Sequence, residues 1–340
     1  MTVTVRDVAA SAQVSVATVS RVLSRSRRVG DANAKAVMDA ADRLGYRPNR
    51  LARSLRRQVT DTIGLVVPQI SNPFFPALVE HVDWQLQSGT RQLLLCDSHN
   101  DADIEARRLE ALLDRQIDGI LIIPCDVRAS ADAVRAAALR VPVVQVDQRV
   151  SAEVTDWVGV DDAVGMELVV SHLAAAGASA VAFVSCALTN SSARLRLDAF
   201  LSAVETRRLE RGELLLGEFT VEWGLAAGRS LLDGDRLPDG IVCGNDLIAA
   251  GVLRQLTLAG VRVPDDVLVT GFDDVPAAAL VTPSLTTVRQ PLEAIVREAL
   301  RLLSEGLDRS RRPFQRVAIS PELVVRASTS CNEAPNGERG

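Results

Sequence analysis

The chain has 340 residues, 47% of them apolar and 3% aromatic, with a formal net charge of -5. So much apolar surface excludes a disordered chain and suits two or three domains packed through aliphatic side chains. The charge is uneven: residues 1–60 hold twelve Lys and Arg against four Asp, and the remainder holds 26 basic against 39 acidic residues. A basic end on an acidic body implies a polyanionic partner for that end alone.

The opening, TVRDVAASAQVSVATVSRVL, spaces Val5, Val8, Ala9, Ala12, Val14, Val19 and Val22 as two short helices. Ser15 stands where it caps the second after a turn of three or four residues. Val16, Ala17 and Arg21 then lie on the outer side of the second helix, where a DNA major groove could be read, while Val19 faces the core. Asp31 is expected to cap a third helix running to about Leu44, with Ala34, Val37, Met38, Ala41 and Leu44 completing a three-helix core and Gly45 ending it. Pro48 holds Tyr46-Arg47-Pro48 extended. Residues 49–56, NRLARSLR, can form a further short helix with Leu51 and Leu55 on one face, too short to be stable alone.

From Thr62 the period changes. Strands TIGLVVPQI, RQLLLCDS, DGILIIP and VPVVQVD alternate with helices at 76–88, 101–116 and 131–139. The rhythm restarts with helix 162–176, strand AVAFVS, helix 194–211, a short strand at 214–218, helix 222–232 and strand GIVCG. Helix 246–259, strand VLVTGFD and helix 291–304 follow. Continuous apolar strands between helices predict parallel, doubly wound sheets in two similar halves with a cleft between them. Ligands in such folds sit at the carboxyl ends of the strands.

No apolar run reaches the roughly 18–20 residues of a membrane span, and no secretory leader is read at the N-terminus. Cys96, Cys125, Cys186, Cys243 and Cys331 are odd in number and widely spaced. The first four lie in or beside apolar strand-like runs and read as buried small hydrophobes, neither bridged nor bound to metal, which fits a reducing cytoplasm. His81, His99 and His172 are isolated, and no phosphate-cradling glycine motif is present.

Taken together, VRDVAASAQVSVATVSRVL, GYRPNRLARSL, IGLVVPQISNPFF, QIDGILI, VDQR, the Arg-rich entry to helix 194–211, CGND, VPDDVLVTGFDD and TTVRQP resemble the LacI/GalR family of bacterial regulators, in order and over essentially the whole chain. The resemblance implies a small all-α helix-turn-helix domain at 1–47 and a hinge helix with its linker at 48–60. A two-subdomain α/β sensor with parallel sheets, of the type I periplasmic-binding-protein kind, would occupy 61–330, and a disordered tail 331–340. It further implies a cytoplasmic homodimer on palindromic double-stranded operator DNA, controlled by a small sugar effector, without cofactor, metal or membrane. The leucine-rich C-terminal helix of tetrameric members has no counterpart here.

By the same resemblance, Val16, Ala17 and Arg21 are the base-reading residues. An arginine can donate two hydrogen bonds to guanine, while Val16 and Ala17 offer apolar contact to a thymine methyl. Arg6, Ser15, Thr18 and Ser20 suit backbone anchoring. Leu55 matches the hinge leucine that enters the minor groove, with Asn49, Arg50 and Arg53 holding the flanking phosphates.

For the effector, sugars need planar hydrogen-bonding groups around the rim and flat apolar faces against the ring. Asn72, Phe74, Phe75, Phe219, Asn245, Asp273 and Gln290 follow the ribose-binding pattern. The family's Asp-Arg after the fourth strand stands here as Asp147-Gln148-Arg149, so either Gln148 or Arg149 takes the arginine's place. Arg194 follows the ribose-binding spacing, Arg196 that of purine-sensing members. Trp223 is divided between the pocket and helix packing, and Asp246 more than Asn245 is expected to cap the helix that follows.

A sugar-responsive repressor is therefore the leading reading, with induction the expected sign, and a purine- or nucleoside-responsive repressor is the alternative. A sugar-acting enzyme would need Asp147 and Asp273 as an acid/base pair, yet neither is read as sitting in an apolar pocket and both fit recognition, so no catalytic role is expected. A transport binding protein would lack the DNA reader.

Overall fold

The computed structural model describes residues 3–24, 29–46, 59–87, 89, 91–151, 154–307 and 313–330. The expected hinge helix, with Asn49, Arg50, Arg53 and Leu55, lies outside the described residues, as do Cys331 and the rest of the polar C-terminal tail. The chain divides into two compact units, Met1–Thr60 and Asp61–Gly340.

The first unit holds three helices, α1 (Val5–Ser11), α2 (Val16–Ser24) and α3 (Asp31–Leu44). A reciprocal capping box starts α1: Asp7 accepts from the backbone N–H and hydroxyl of Thr4, each at 2.8 Å. Ser15 starts α2, its hydroxyl accepting from the Thr18 N–H at 3.1 Å. Val8, Ala9, Val19, Val37, Ala40 and Ala41 form the buried centre. Two expectations change here. Met38 is 48% exposed, because the inward face of α3 runs through Val37, Ala40 and Ala41 and leaves position 38 a quarter-turn away. Asp31 is the first helical residue and Gly30 the cap, while Gly45 closes the helix at φ 64, a left-handed conformation that glycine adopts freely.

The second unit contains two six-stranded sheets. The first lobe has strands β1 (Thr62–Val67), β2 (Gln92–Asp97), β3 (Gly119–Ile122), β4 (Val143–Val146), β5 (Asp156–Val160) and β11 (Arg316–Ile319), in the order β11-β5-β4-β3-β1-β2 and all parallel. Helices α4 (Phe74–Gln87) and α11 (Leu292–Leu307) cover one face, with α5 (Ala102–Asp114) and α6 (Ala131–Ala138) on the other.

The second lobe has β6 (Ala180–Cys186), β7 (Glu210–Gly217), β8 (Gly240–Cys243), β9 (Leu268–Asp273), β10 (Thr286–Arg289) and β12 (Glu322–Val324). Their order is β12-β10-β9-β8-β6-β7, and only β12 runs antiparallel to its neighbour. Helices α7 (Asp162–Ala175) and α8 (Ser191–Arg207) line one face, α9 (Val221–Asp233) and α10 (Asp246–Leu258) the other. Sheets covered on both faces explain the unbroken apolar runs of their central strands.

The chain crosses between the lobes three times, from β5 to α7, from β10 to α11, and from β11 to β12. Each lobe is therefore completed by residues from the far end of the unit. The expected strand at 214–218 is the longer β7, and β5, β10, β11 and β12 were not expected. No helix among the described residues is long and apolar enough to cross a membrane. Cys125, Cys186 and Cys243 are buried free thiols and Cys96 is half-buried. Burial pushes the Cys125 and Cys186 thiols up to about 12, so they remain protonated.

Candidate DNA-reading face and effector cavity

In the first unit, Val19 packs at the centre while Val16 is 43% exposed on the same helix. Ala17 and Arg21, one helical turn apart, are also exposed, and Thr18 and Ser20 are half-buried beside them. The Ser15 hydroxyl, besides capping α2, lies 2.9 Å from that of Thr18, and Arg6 is exposed on α1. The exposed side chains thus include the guanidiniums of Arg21 and Arg6 and two small apolar groups, with hydroxyls beside them.

In the second unit, loops at the carboxyl ends of the strands enclose a small cavity. Asn72, Phe74, Phe75, Asp147 and Gln148 from the first lobe and Ser192, Arg196, Phe219, Asn245 and Asp273 from the second line it. It opens to an outer groove that shares Asn72, Phe75, Gln148 and Phe219 and adds polar groups such as Asp97, His99, Asn190 and Glu218. Two hydrogen bonds from backbone N–H groups join the lobes near its mouth, Val127 N–H to the Thr189 carbonyl at 2.8 Å and Arg149 N–H to the Ser191 side-chain hydroxyl at 2.9 Å.

Local structure fixes each wall. The Asn72 side-chain oxygen accepts from the Phe74 N–H at 3.1 Å, and Phe74 meets Phe75 edge to face at 5.3 Å. Asn245, and not Asp246 as the sequence suggested, caps α10 by accepting from the Ile248 N–H at 3.0 Å. Asp246 is buried, where it accepts from the Thr287 hydroxyl at 2.5 Å and the Val275 N–H at 2.8 Å. Asp147, just after β4, and Asp273, the last residue of β9, have φ 60 and φ 107. Such conformations cost a non-glycine residue about 1–3 kcal/mol and persist where the surroundings enforce them. Here they turn both carboxyls into the cleft.

Arg196 is the central cation. It is 3% exposed; its Nε donates to Asp162 at 2.7 Å and one terminal nitrogen to the Gly244 carbonyl at 2.7 Å. Its guanidinium lies 3.6 Å from the centre of the Phe272 ring, and Asp273 stands 3.9 Å away. Gln290 donates to Asp273 at 2.8 Å. Burial pushes the Asp147 carboxyl up to about 8, with Arg196 opposing and Asp162 and Asp273 adding to the rise. Burial likewise pushes Asp273 up to about 6, against Arg196 and the Gln290 hydrogen bond. Both carboxyls thus occupy drier surroundings than the sequence suggested, each at the end of a buried strand.

Four expected cavity residues are placed elsewhere or behind the wall. Arg194 is exposed and donates to the Leu188 carbonyl at 3.0 Å, because α8 begins at Ser191 and turns position 194 outward. Arg149 lies with its guanidinium 5.4 Å from the Trp157 ring, which leaves Gln148 at the cavity. Trp223 packs against the second core and donates to the Ser185 carbonyl at 3.0 Å. Gln290 stands behind Asp273. Ser192 was missed in the sequence; it sits one turn before Arg196 on α8, and its helix is capped by Asn190, whose side chain accepts from the Ala193 N–H at 3.0 Å.

The sequence matches the description "Bacterial regulatory proteins, lacI family" over residues 4–49 and "Periplasmic binding protein-like domain" over residues 170–329. It is 32% identical to the HTH-type transcriptional repressor PurR of Mannheimia succiniciproducens, over 96% of this chain and 98% of that protein. It is also 32% identical to the ribose operon repressor of Halalkalibacterium halodurans, over 97% of this chain and 98% of that protein. The crystal structure of the lac repressor dimer bound to operator and the anti-inducer ONPF is similar with a TM-score of 0.87 at 25% identity, covering 97% of this chain and 100% of that one. With a helix-turn-helix unit at one end, a two-lobed sensor behind it and likeness to regulators along nearly its entire length, the chain belongs to the lacI family of bacterial regulatory proteins, DNA-binding transcription regulators and not enzymes.

Proposed function

We propose that the chain is a homodimeric repressor of a palindromic operator, released by a small sugar of about pentose size. Residues 1–47 would read DNA, 48–60 would form the joint, and 61–330 the sensor. The observation that carries the effector reading is the cavity lining: amides, carboxyls and three phenylalanines from both lobes surround one space. Planar hydrogen-bonding groups beside flat aromatic faces suit a single polyol ring. Arg21 would discriminate bases from the exposed edge of α2, Val16 and Ala17 would make apolar base contacts, and Arg6, Ser15, Thr18 and Ser20 would anchor phosphates. Leu55 with Asn49, Arg50 and Arg53 would engage the operator centre through a segment ordered or released by the sensor.

A purine or nucleoside is the second reading, favoured by Arg196 rather than Arg194 at the cavity and by the likeness to a PurR repressor. Against it, Trp223, the side chain expected to stack on a base, is engaged in packing. Calorimetric titration with pentoses, hexoses, polyols, purines and nucleosides, paired with gel shifts on upstream DNA, tests both. Pentose binding that weakens the DNA complex is the expected result. Purine binding without sugar binding would establish the second reading, and salt-independent DNA binding without a protected palindrome would overturn the operator assignment.

A further inference from the structure

The charges around the cavity do not balance. Arg196 is the only Lys, Arg or His among the described residues lining it. That guanidinium is already engaged: it donates to Asp162 and to the Gly244 carbonyl and sits over the Phe272 ring. Asp273 keeps a hydrogen bond from Gln290. Asp147, 7% exposed, has a buried Oδ1 with no hydrogen-bond partner, and the Ser192 hydroxyl, on a residue 2% exposed, is in the same condition. Two carboxyls thus meet the cavity with their cation already shared with a third, and the unpartnered atoms at the wall include a carboxyl oxygen.

Buried polar atoms are rarely left without partners, so these mark where a ligand's own groups belong. A neutral hydroxyl can satisfy Asp147 only as an ordinary hydrogen bond. A protonated amine would satisfy it as a charge-assisted one, about twice as strong, with the carboxyl ionised as its partner. A phosphate or carboxylate would face Asp147 and Asp273 with no unengaged cation to meet it.

Resting on the reading of this cavity as a sugar site, we propose that it favours a cationic polyol, an iminosugar or amino sugar whose protonated nitrogen pairs with Asp147, over the neutral sugar of the same shape, and that it excludes phosphorylated sugars. The proton balance is explicit. The ligand nitrogen arrives protonated, Asp147 gives its proton to the buffer, and an ammonium–carboxylate pair remains. The charged groups facing Asp147 are Arg196, Asp162 and Asp273.

The test is calorimetry on the full chain near neutral pH with ribose, a ring-nitrogen iminoribitol and ribose phosphate. The iminosugar is expected to bind at least about tenfold more tightly than ribose, with ribose phosphate not binding. Titrations in two buffers of different ionisation enthalpy should show close to one proton released with the iminosugar and none with ribose. Asp147→Asn should bring the iminosugar down to the affinity of ribose; the buffer experiment needs only the natural protein, so a misfolded variant leaves the test intact. An iminosugar no tighter than ribose, binding without proton release, or tight binding of ribose phosphate would overturn the inference while the sugar-site reading stands. Binding by none of the three, with purines or other ligands bound instead, would overturn the sugar-site reading and this inference with it.

Discussion

Replacing Asp147 with Asn isolates the electrostatic cost of building this cavity. The carboxyl is held at about 8 against the ordinary 3.8, chiefly by burial, with Arg196 opposing the shift and Asp162 and Asp273 adding to it. Because the folded value lies above the unfolded one, the native state keeps a proton that the unfolded chain has lost between about pH 4 and about pH 8. Stability conferred by that proton is fully present below the unfolded pKa and is lost as pH rises through the window. One proton corresponds to a slope of about 1.4 kcal/mol per pH unit, so between about pH 5 and about pH 7 the natural protein loses about 3 kcal/mol through Asp147. Asp273, at about 6, contributes a shorter window that both proteins share. Asparagine keeps the shape of the neutral acid and cannot ionise. The stability advantage of Asp147→Asn should therefore grow by about 3 kcal/mol over that range, read by urea unfolding followed by circular dichroism. Parallel pH profiles for the two proteins would refute the reasoning.

Arg21→Ala should cost about 1–3 kcal/mol of discrimination at one base position of each half-site, measured by competition gel shifts; equal loss on random DNA would make Arg21 a phosphate contact. Arg196→Met should destabilise the sensor by about 3–5 kcal/mol, since Asp162 is left buried without its cation, and an unchanged urea midpoint would contradict this. Asp273→Ala should weaken the effector by about 3 kcal/mol, roughly a hundredfold, while DNA binding persists, as titration and gel shift would report. Gly217→Ala would place a methyl 2.3 Å from the Trp223 ring, so tryptophan fluorescence should shift and stability fall by about 1–3 kcal/mol.

What could be read in advance follows from how each segment is buried. The runs TIGLVV, GILI and AVAFVSC announce themselves because both sheet faces are covered and nearly every position is apolar. RVAI and ELV do not: they are short edge strands, half exposed, and their partners lie more than thirty residues or an entire lobe away. DWVGV is fully buried, yet its aspartate and glycine disguise it.

The cavity shows the same division. Asn72, Phe74, Phe75, Asp147, Gln148, Phe219, Asn245 and Asp273 end or follow strands and helices whose positions were legible, so the cleft could be named. Which arginine enters it could not, because an error of three residues in the start of α8 rotates Arg194 and Arg196 across the helix. The signal was present in Asn190, a strong capping residue followed by Ser-Ser-Ala; a helix begun there places Ser192 and Arg196 on one side and Arg194 on the other. The choice between Asn245 and Asp246 as cap was open in sequence because both side chains accept hydrogen bonds. The buried Thr287 hydroxyl and Val275 N–H, remote in the chain, claim Asp246.

The three passages of the chain between lobes also set the order in which a ribosome can deliver a finished sensor. Strands β1 to β5 emerge first, but the outer edge of β5 stays open until Arg316–Ile319 arrives to pair with it. The groove that Leu303 fills against Gly119, and Gly306 against Pro142, waits for α11. More than 150 residues separate Trp157 from its partner Arg316, so a nascent first lobe carries a bare strand edge and an uncovered apolar face throughout synthesis of the second. The reader unit lies ahead of all this and makes its own core within residues 3–46. Translation therefore exposes a folded DNA-binding head well before the part that governs it is complete, and slow elongation or a truncated message would leave an aggregation-prone sensor attached to it.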